Sequence, residues 1–192
     1  MILERGQEMS DGRVIFWMDD IAISCVESHD KKWRVGHYDR EEFDSLRENT
    51  VALINSLSIE FLIKVGQGYS VKALCVACNG TLVFSVHRDP NADMVGIVVV
   101  DRNQRECFRI DTSTHLISCS ISELGRYLAL SFSGSRNKSD PYGNRLEVYD
   151  LTTGEVLASF DKGNDLRYAE IVVTEPEGNV VAFYKGKSFK VC

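Results

Sequence analysis

One pattern occurs three times in the second half of this 192-residue sequence. An apolar stretch leads into a short turn that ends in glycine, and a second apolar stretch follows at once. The copies are VKALCVACNGTLVFS (71–85), LISCSISELGRYLALS (116–131) and AEIVVTEPEGNVVAFY (169–184), with their turns at Gly80, Gly125 and Gly178. Glycine adopts the positive φ of tight strand connections at low cost, and Val, Ile, Leu, Phe and Tyr favour strands. The pattern predicts three β-hairpins.

Each hairpin is followed by a second step of the same kind. GIVVVDRNQRECFRID (96–111) and RLEVYDLTTGEVLASFD (145–161) each predict a strand ending at Asp101 or Asp150, a turn and a further strand. SFKVC (188–192) begins this step in the third copy. The repeat is therefore a unit of four antiparallel strands, with its turn glycines 45 to 53 residues apart.

These units resemble the blades of WD-repeat-like β-propellers over about residues 66–192. The resemblance is carried by the strand–turn–Gly–strand segments and by the VVVDR and EVYDLTTGE steps. No Trp-Asp dipeptide closes a unit and no Gly-His opens one. The resemblance implies a mainly β fold, a small propeller-like array of about four antiparallel four-stranded units. The alternative is an open, twisted antiparallel sheet or sandwich with a helix.

Residues 1–65 predict a degenerate first unit with an acidic helix inserted in it. Gly12 precedes an apolar strand, and IAISCVES, KWRVGHYD and IEFLIKVG are further strand candidates. The helix is predicted at about 40–57, because one helical face would hold Phe43, Leu46, Thr50, Leu53 and Leu57. We expect residues 1–192 to form a single domain. Val14–Met18 is expected to supply the strand that the last unit lacks.

Composition and charge narrow the class of protein. The net charge is -6, and residues 1–60 contain 13 acidic and 7 basic side chains, which argues against nucleic-acid binding. No apolar run is long enough for a transmembrane helix, and the first residues do not have the pattern of a signal peptide. We therefore expect a cytoplasmic protein that does not bind membranes.

Cys75-Val76-Ala77-Cys78 has the spacing of a zinc or redox pair. No second pair stands at a convincing distance, and residues three apart on a strand point to opposite faces. We interpret Cys75 as a buried thiol and Cys78 as a turn residue. The sequence predicts no metal, no cofactor, no small-molecule ligand and no catalytic residue. A small hydrolase whose Cys/His or carboxylate pair meets only in space is the enzymatic alternative.

The remaining features point to recognition of another protein. Loops 86–95, 133–144 and 161–168 are long, and long loops on a rigid scaffold often bind partners. The predicted helix adds an acidic face suited to a basic partner. The most specific hypothesis is an inhibitor or immunity protein that neutralises a basic toxin such as a nuclease; the alternative is a scaffold or adaptor propeller module of a larger complex. The predicted binding residues are Asp19, Asp20, Glu41, Asp44, Glu48, Asp89, Asp93, Arg136, Asp140, Tyr142 and Asp165.

Overall fold

The computed structural model describes residues 3–19, 21–38, 50–66, 69–88, 94–163, 166, 168–184 and 187–190. These residues form seventeen β-strands in four antiparallel sheets, and they include no helix. The prediction of a mainly β chain built from about four antiparallel units is confirmed. Each sheet is formed by strands that follow one another along the chain, which is the topology of a propeller blade.

The first sheet has six strands in chain order: β1 (Glu4–Glu8), β2 (Val14–Met18), β3 (Ile21–Glu27), β4 (Trp33–Tyr38), β5 (Thr50–Asn55) and β6 (Ser58–Lys64). The blade unit itself is β3–β6, and β1–β2 is an added hairpin. The backbone N–H of Leu3 donates to the carbonyl of Leu57 at 3.0 Å, so the start of the hairpin reaches back to the β5–β6 turn. The hairpin thereby covers one face of the sheet.

This covered face, called the capped face below, is a closed apolar cluster. Alternate residues of β2 and β3 point into it because side chains on a strand alternate between faces. The cluster joins Leu3, Val14, Phe16, Met18, Ile21, Ile23, Cys25, Ala52 and Ile54. The prediction that Val14–Met18 completes the last sheet is wrong, because this strand pairs with β1 and β3.

The predicted helix at 40–57 is wrong for the residues that the structure describes in that range. Residues 50–55 are strand β5, and Ser56 and Leu57 form the turn to β6. Val51 and Leu53 point to one face of the sheet and Ala52 and Ile54 to the other, and all four are 0% exposed. A strand buried on both faces is apolar at every position, so it also contains a helical spacing by coincidence. Residues 39–49 lie outside the described part of the chain.

The second sheet has the order β10-β9-β8-β7. Its strands are β7 (Tyr69–Val76), β8 (Leu82–Arg88), β9 (Val95–Val100) and β10 (Glu106–Thr112). Val71, Leu82, Phe84 and Val98 of this sheet share an apolar cluster with the uncapped face of the first sheet. Burial between the two sheets therefore holds them together.

The third sheet consists of β11 (Leu116–Ile121), β12 (Tyr127–Phe132), β13 (Arg145–Asp150) and β14 (Glu155–Asp161). The fourth sheet has three described strands, β15 (Glu170–Val173), β16 (Val180–Tyr184) and β17 (Lys187–Lys190). Serine hydroxyls on β11 accept hydrogen bonds from backbone N–H groups at the edge of β15. The N–H of Ile171 donates to Ser118 Oγ at 3.2 Å, and the N–H of Val173 donates to Ser120 Oγ at 3.1 Å. The fourth sheet is thus joined to the third by side-chain hydrogen bonds as well as by apolar packing.

The chain divides into two compact units. One consists of residues 1–92 and 96–109 and contains the first sheet and most of the second. The other consists of residues 93–95 and 110–192 and contains the third and fourth sheets.

The turn glycines have the predicted backbone conformation. Gly80, Gly125 and Gly178 have φ values of 85°, 75° and 72°. The first sheet makes the same turn with a different residue. The N–H of Lys31 donates to the carbonyl of Ser28 at 2.9 Å, as the N–H of Gly125 does to Ser122, and Lys31 has φ 58°. The repeat in the first sheet therefore starts at β3 and carries lysine where the later repeats carry glycine.

Candidate interaction surface

Loop 133–144 joins β12 to β13 and is held in place by one carboxylate. Asp140 accepts hydrogen bonds from the backbone N–H and the hydroxyl of Ser113, both at 2.6 Å, and from the Thr112 hydroxyl at 3.0 Å. It also accepts from the N–H of Tyr142 at 2.9 Å. Asp140 therefore fixes its own turn and ties the loop to the chain between β10 and β11.

The electrostatics of Asp140 reflect these bonds. Burial alone would raise the pKa of its carboxyl. Hydrogen bonds from Ser113, Tyr142 and Thr112 outweigh burial and lower the pKa to about 2. The carboxylate is therefore ionised at neutral pH, and its charge is used within the protein.

Tyr142 is a second anchor of the loop, two residues after Asp140. Its ring lies against Phe132 with 5.2 Å between the ring centroids and 40° between the planes. Phe132 is fully buried in β12, while Tyr142 is half-buried. Such tilted aromatic pairs add to the stabilisation from burial. The loop is thus fixed at two points, by Asp140 and by Tyr142.

The first half of the loop contributes to a small polar pocket. Ser113, His115, Gly134, Arg136 and Asn137 line a cavity of about 160 Å³. Arg136 and Asn137 are exposed, and so is His115. A guanidinium, an imidazole and an amide in one pocket suit a hydrogen-bond acceptor such as a carboxylate, whereas the Ser113 hydroxyl already donates to Asp140.

The structure brings three of the predicted binding residues together on this loop, namely Arg136, Asp140 and Tyr142. Ser113, His115, Gly134 and Asn137 were not predicted. Asn137 belongs to the loop whose length did point to binding, whereas Ser113 and His115 precede β11 and carry no separate signal in the sequence. Asp19 is exposed in the β2–β3 turn with φ 53°. The other predicted residues lie outside the described part of the chain: Asp20, Glu41, Asp44, Glu48, Asp89, Asp93 and Asp165.

The acidic segment 39–49 does have a defined place in the topology. It connects β4 to β5, the second and third strands of the first blade unit. Loop 133–144 connects the second and third strands of the third sheet. Two of the segments predicted to bind a partner therefore connect corresponding strands of their repeats.

The five described cysteines belong to no group of ligands for a metal. Cys75 is half-buried in β7 and Cys78 is half-buried in the turn after it, and none of the five described cysteines forms a disulfide. The described residues contain no cluster of three or more His, Cys, Asp or Glu that could hold a metal ion. Within the same residues, no helix has the length and the apolar character that crossing a bilayer requires.

No protein family and no curated protein matches the sequence of this chain. Solved structures match its fold. The β-propeller domain of Myceliophteria thermophila Cps50 (Swd1) aligns with 93% of the chain at 11% identity and a TM-score of 0.53. KlHsv2 with loop 6CD replaced by a Gly-Ser linker aligns with 98% at 13% identity and a TM-score of 0.58. Kuenenia stuttgartiensis hydrazine synthase aligns with 95% at 11% identity and a TM-score of 0.53.

The chain spans 64% of the first matched structure, 65% of the second and 69% of the third. At these identities the likeness concerns the fold alone. Together with the four sheets of consecutive strands, it shows that this chain has the fold of a four-blade β-propeller, similar to WD-repeat-like propellers.

Proposed function

We propose that this protein is a non-catalytic binding module, a propeller that serves as scaffold or adaptor by holding a protein partner on loop 133–144. The single observation that supports the proposal is the anchoring of this loop by Asp140 and Tyr142, with Arg136 exposed in the same loop. A loop that is ordered before binding loses less conformational entropy when it binds. Arginine and tyrosine are also the residue types most enriched where binding energy concentrates.

The inhibitor or immunity hypothesis is a narrower version of the same idea. It depends on the acidic residues of segment 39–49, which lie outside the described part of the chain, and none of the three structures named above is described as an inhibitor of a toxin. The scaffold hypothesis agrees better with the matches, which include a β-propeller domain. We therefore take the scaffold as the proposed function.

Photo-crosslinking tests the proposal directly. A crosslinking amino acid placed at Lys138, an exposed loop residue, is expected to capture one discrete partner from an extract of the source cells. Arg136→Glu in the same protein is expected to reduce this capture at least about tenfold, as loss of a central arginine does. Arg102→Glu, an exposed arginine in the β9–β10 turn, is the matched control and should leave capture unchanged. Equal capture by the Arg136 variant would refute binding through this loop.

The same preparation separates a scaffold from an inhibitor. The captured partner, once identified, is assayed with and without saturating amounts of this protein. A scaffold leaves the partner's own activity intact, whereas an inhibitor abolishes it. Full inhibition would therefore restore the narrower hypothesis in place of the scaffold.

A further inference from the structure

A second surface, separate from loop 133–144, is a groove between the first and second sheets. Its volume is about 610 Å³, within the range of ligand sites in proteins. The floor is formed by Phe84 and Val86 of β8 and by Val98 and Val100 of β9. Phe84, Val98 and Val100 are no more than 4% exposed, so they belong to a packed apolar core that ends at the groove.

The two sides of the groove are strands at the edges of their sheets. β6 is the last strand of the first sheet and β10 the last of the second, and neither has another partner strand among the described residues. Leu62, Ile63 and Lys64 of β6 line the groove, together with the two residues that follow the strand, 65 and 66. Side chains of consecutive strand residues alternate between faces, so a groove lined by the last three residues of β6 follows the backbone edge at the end of this strand. An edge of this kind offers N–H and C=O groups to an added strand.

The mouth of the groove carries an excess of positive charge. Arg109 and Glu106 form a two-bond ion pair, with Nε to Oε1 at 2.9 Å and Nη2 to Oε2 at 2.7 Å. The Arg109 hydrogen bond lowers the pKa of Glu106, so this pair is fully charged and cancels near neutral pH. Lys64, an exposed residue on the β6 side, adds one positive charge. The groove is thus locally cationic in a protein whose net charge is -6.

We propose that this groove binds an extended peptide segment of a partner protein, which pairs with the edge of β6, places apolar side chains on the floor and directs an acidic side chain to Lys64. Strand addition supplies affinity through main-chain hydrogen bonds and specificity through alternate side chains. The apolar floor and the single excess cation define the segment: alternating apolar residues with an Asp or Glu among them.

The test uses a defined probe, a fluorescein-labelled acetyl-Leu-Val-Asp-Leu-Val-amide peptide, with binding followed by fluorescence anisotropy. Lys64→Glu is expected to weaken binding at least about tenfold, because it replaces attraction by repulsion. The Lys64→Glu variant should instead bind the peptide with Lys in place of Asp more tightly than the original peptide. Lys72→Glu is the matched control, since Lys72 is exposed on β7 and does not line the groove, and it should leave binding unchanged.

A second probe tests the pairing with the strand edge. The same peptide with alternate amide nitrogens methylated keeps its side chains but loses its outward N–H donors, and it is expected to bind at least about tenfold more weakly. Equal binding of the methylated peptide, an unchanged affinity in Lys64→Glu, or no binding up to about 1 mM peptide would each overturn the inference. Binding of decanoate in place of the peptide would do so as well, because it would indicate a site for small apolar acids. None of these outcomes bears on loop 133–144, which is tested separately.

Discussion

The first and fourth sheets each pack one face against a neighbouring sheet, but they differ on the other face. On the capped face of the first sheet, Phe16, Ile23 and Ile54 are 0% exposed. On the corresponding face of the fourth sheet, called the open face, Val172 is 44% and Phe183 is 45% exposed. Both sheets place apolar side chains on both faces, so the difference comes from what covers them.

Strand register shows why the open face stays exposed. Ile171 pairs with Ala182 and Val173 with Val180, and these four buried side chains point towards the third sheet. Val172 must then point the opposite way, with its partner Val181. The chain provides no described element that fully buries this second face, whereas β1 and β2 do so for the first sheet.

A charged residue, Arg34, packs against the capped face in addition to the apolar side chains. The Arg34 guanidinium lies 4.7 Å from the centroid of the Phe16 ring and is 6% exposed as a residue. Its Nε donates to Glu27 at 2.7 Å and its Nη2 donates to the carbonyl of Lys31 at 2.9 Å. A buried cation is tolerated when it is paired and hydrogen-bonded in this way. The hairpin is therefore part of the structure of the first sheet and not a loose extension.

The largest expected effect is that of Phe16→Ala. The substitution leaves a cavity under the hairpin and removes the ring beneath Arg34, so the free energy of unfolding should fall by about 3–5 kcal/mol. Urea unfolding followed by fluorescence measures it well, because both tryptophans of the chain, Trp17 and Trp33, belong to the first sheet. Phe183→Ala is the control on the open face and should cost less than about 1 kcal/mol. Equal losses in the two variants would contradict the distinction between the faces.

Gly36→Ala is expected to cost about 1–3 kcal/mol through overpacking. A Cβ at Gly36 would lie 2.5 Å from Ile23 Cγ2 and 2.7 Å from Cys25 Sγ, both on the capped face. At Gly134 in loop 133–144, an added Cβ meets no heavy atom within 4 Å, so Gly134→Ala is the control and should change stability little. The comparison is made by thermal or urea unfolding. An unchanged free energy of unfolding in Gly36→Ala would mean that the side chains of the capped face can move to accept the extra methyl group.

Alkaline pH should weaken the capped face. Burial raises the pKa of Cys25 from 9.0 to about 12, whereas an unfolded chain ionises this thiol near its ordinary value. The stabilisation is therefore complete below pH 9 and is lost as the pH rises towards 12, by up to about 1 kcal/mol for each pH unit. Cys25→Ala removes this group, so its unfolding free energy should fall less steeply above pH 9 than that of the wild type. If the unfolding free energy falls equally steeply with pH in the two proteins, the Cys25 thiol is not protected from ionisation in the folded state.

The smallest effect concerns the turn that differs between repeats. Lys31 has φ 58°, a conformation that costs about 1 kcal/mol for a residue with a Cβ. Lys31→Gly should therefore stabilise the first sheet by a few tenths of a kcal/mol to about 1 kcal/mol, measured by the tryptophan unfolding curve. The reciprocal change Gly125→Lys in the third sheet should destabilise by about 1 kcal/mol. A destabilising Lys31→Gly would mean that the Lys31 side chain makes a compensating contact.

Local patterns in the sequence are sufficient to predict the turns and strands of each repeat, but not to predict which strands pair. The turns at Gly80, Gly125 and Gly178 were predictable because positive φ is a property of a few residues. The position of Val14–Met18 was not, because an alternating strand can pair with any free edge of suitable register. The helix predicted over 40–57 fails at β5, because a strand buried on both faces has no alternation of polar and apolar residues to distinguish it.

The candidate site was predictable to the same degree. The length of loop 133–144 identified it, and Arg136, Asp140 and Tyr142 were named from it. The hydrogen bonds that Asp140 accepts from Ser113 and Thr112 join residues 27 and 28 positions apart, so only the fold reveals them. The groove beside β6 is likewise a feature that only the fold reveals, since its floor and its edge come from different sheets.

The hairpin that caps the first sheet also bears on how the protein is made. β1 and β2 precede β3–β6 along the chain, and all six strands are complete by Lys64. All residues of the capped face therefore leave the ribosome before the third sheet has been synthesised, and the hairpin is available to bury this face from the start. Contacts between residues near in sequence form fastest, and domains emerge from the ribosome in chain order. The nascent chain would thus already have buried one apolar face of its first sheet, while the other face is covered only when the second sheet follows.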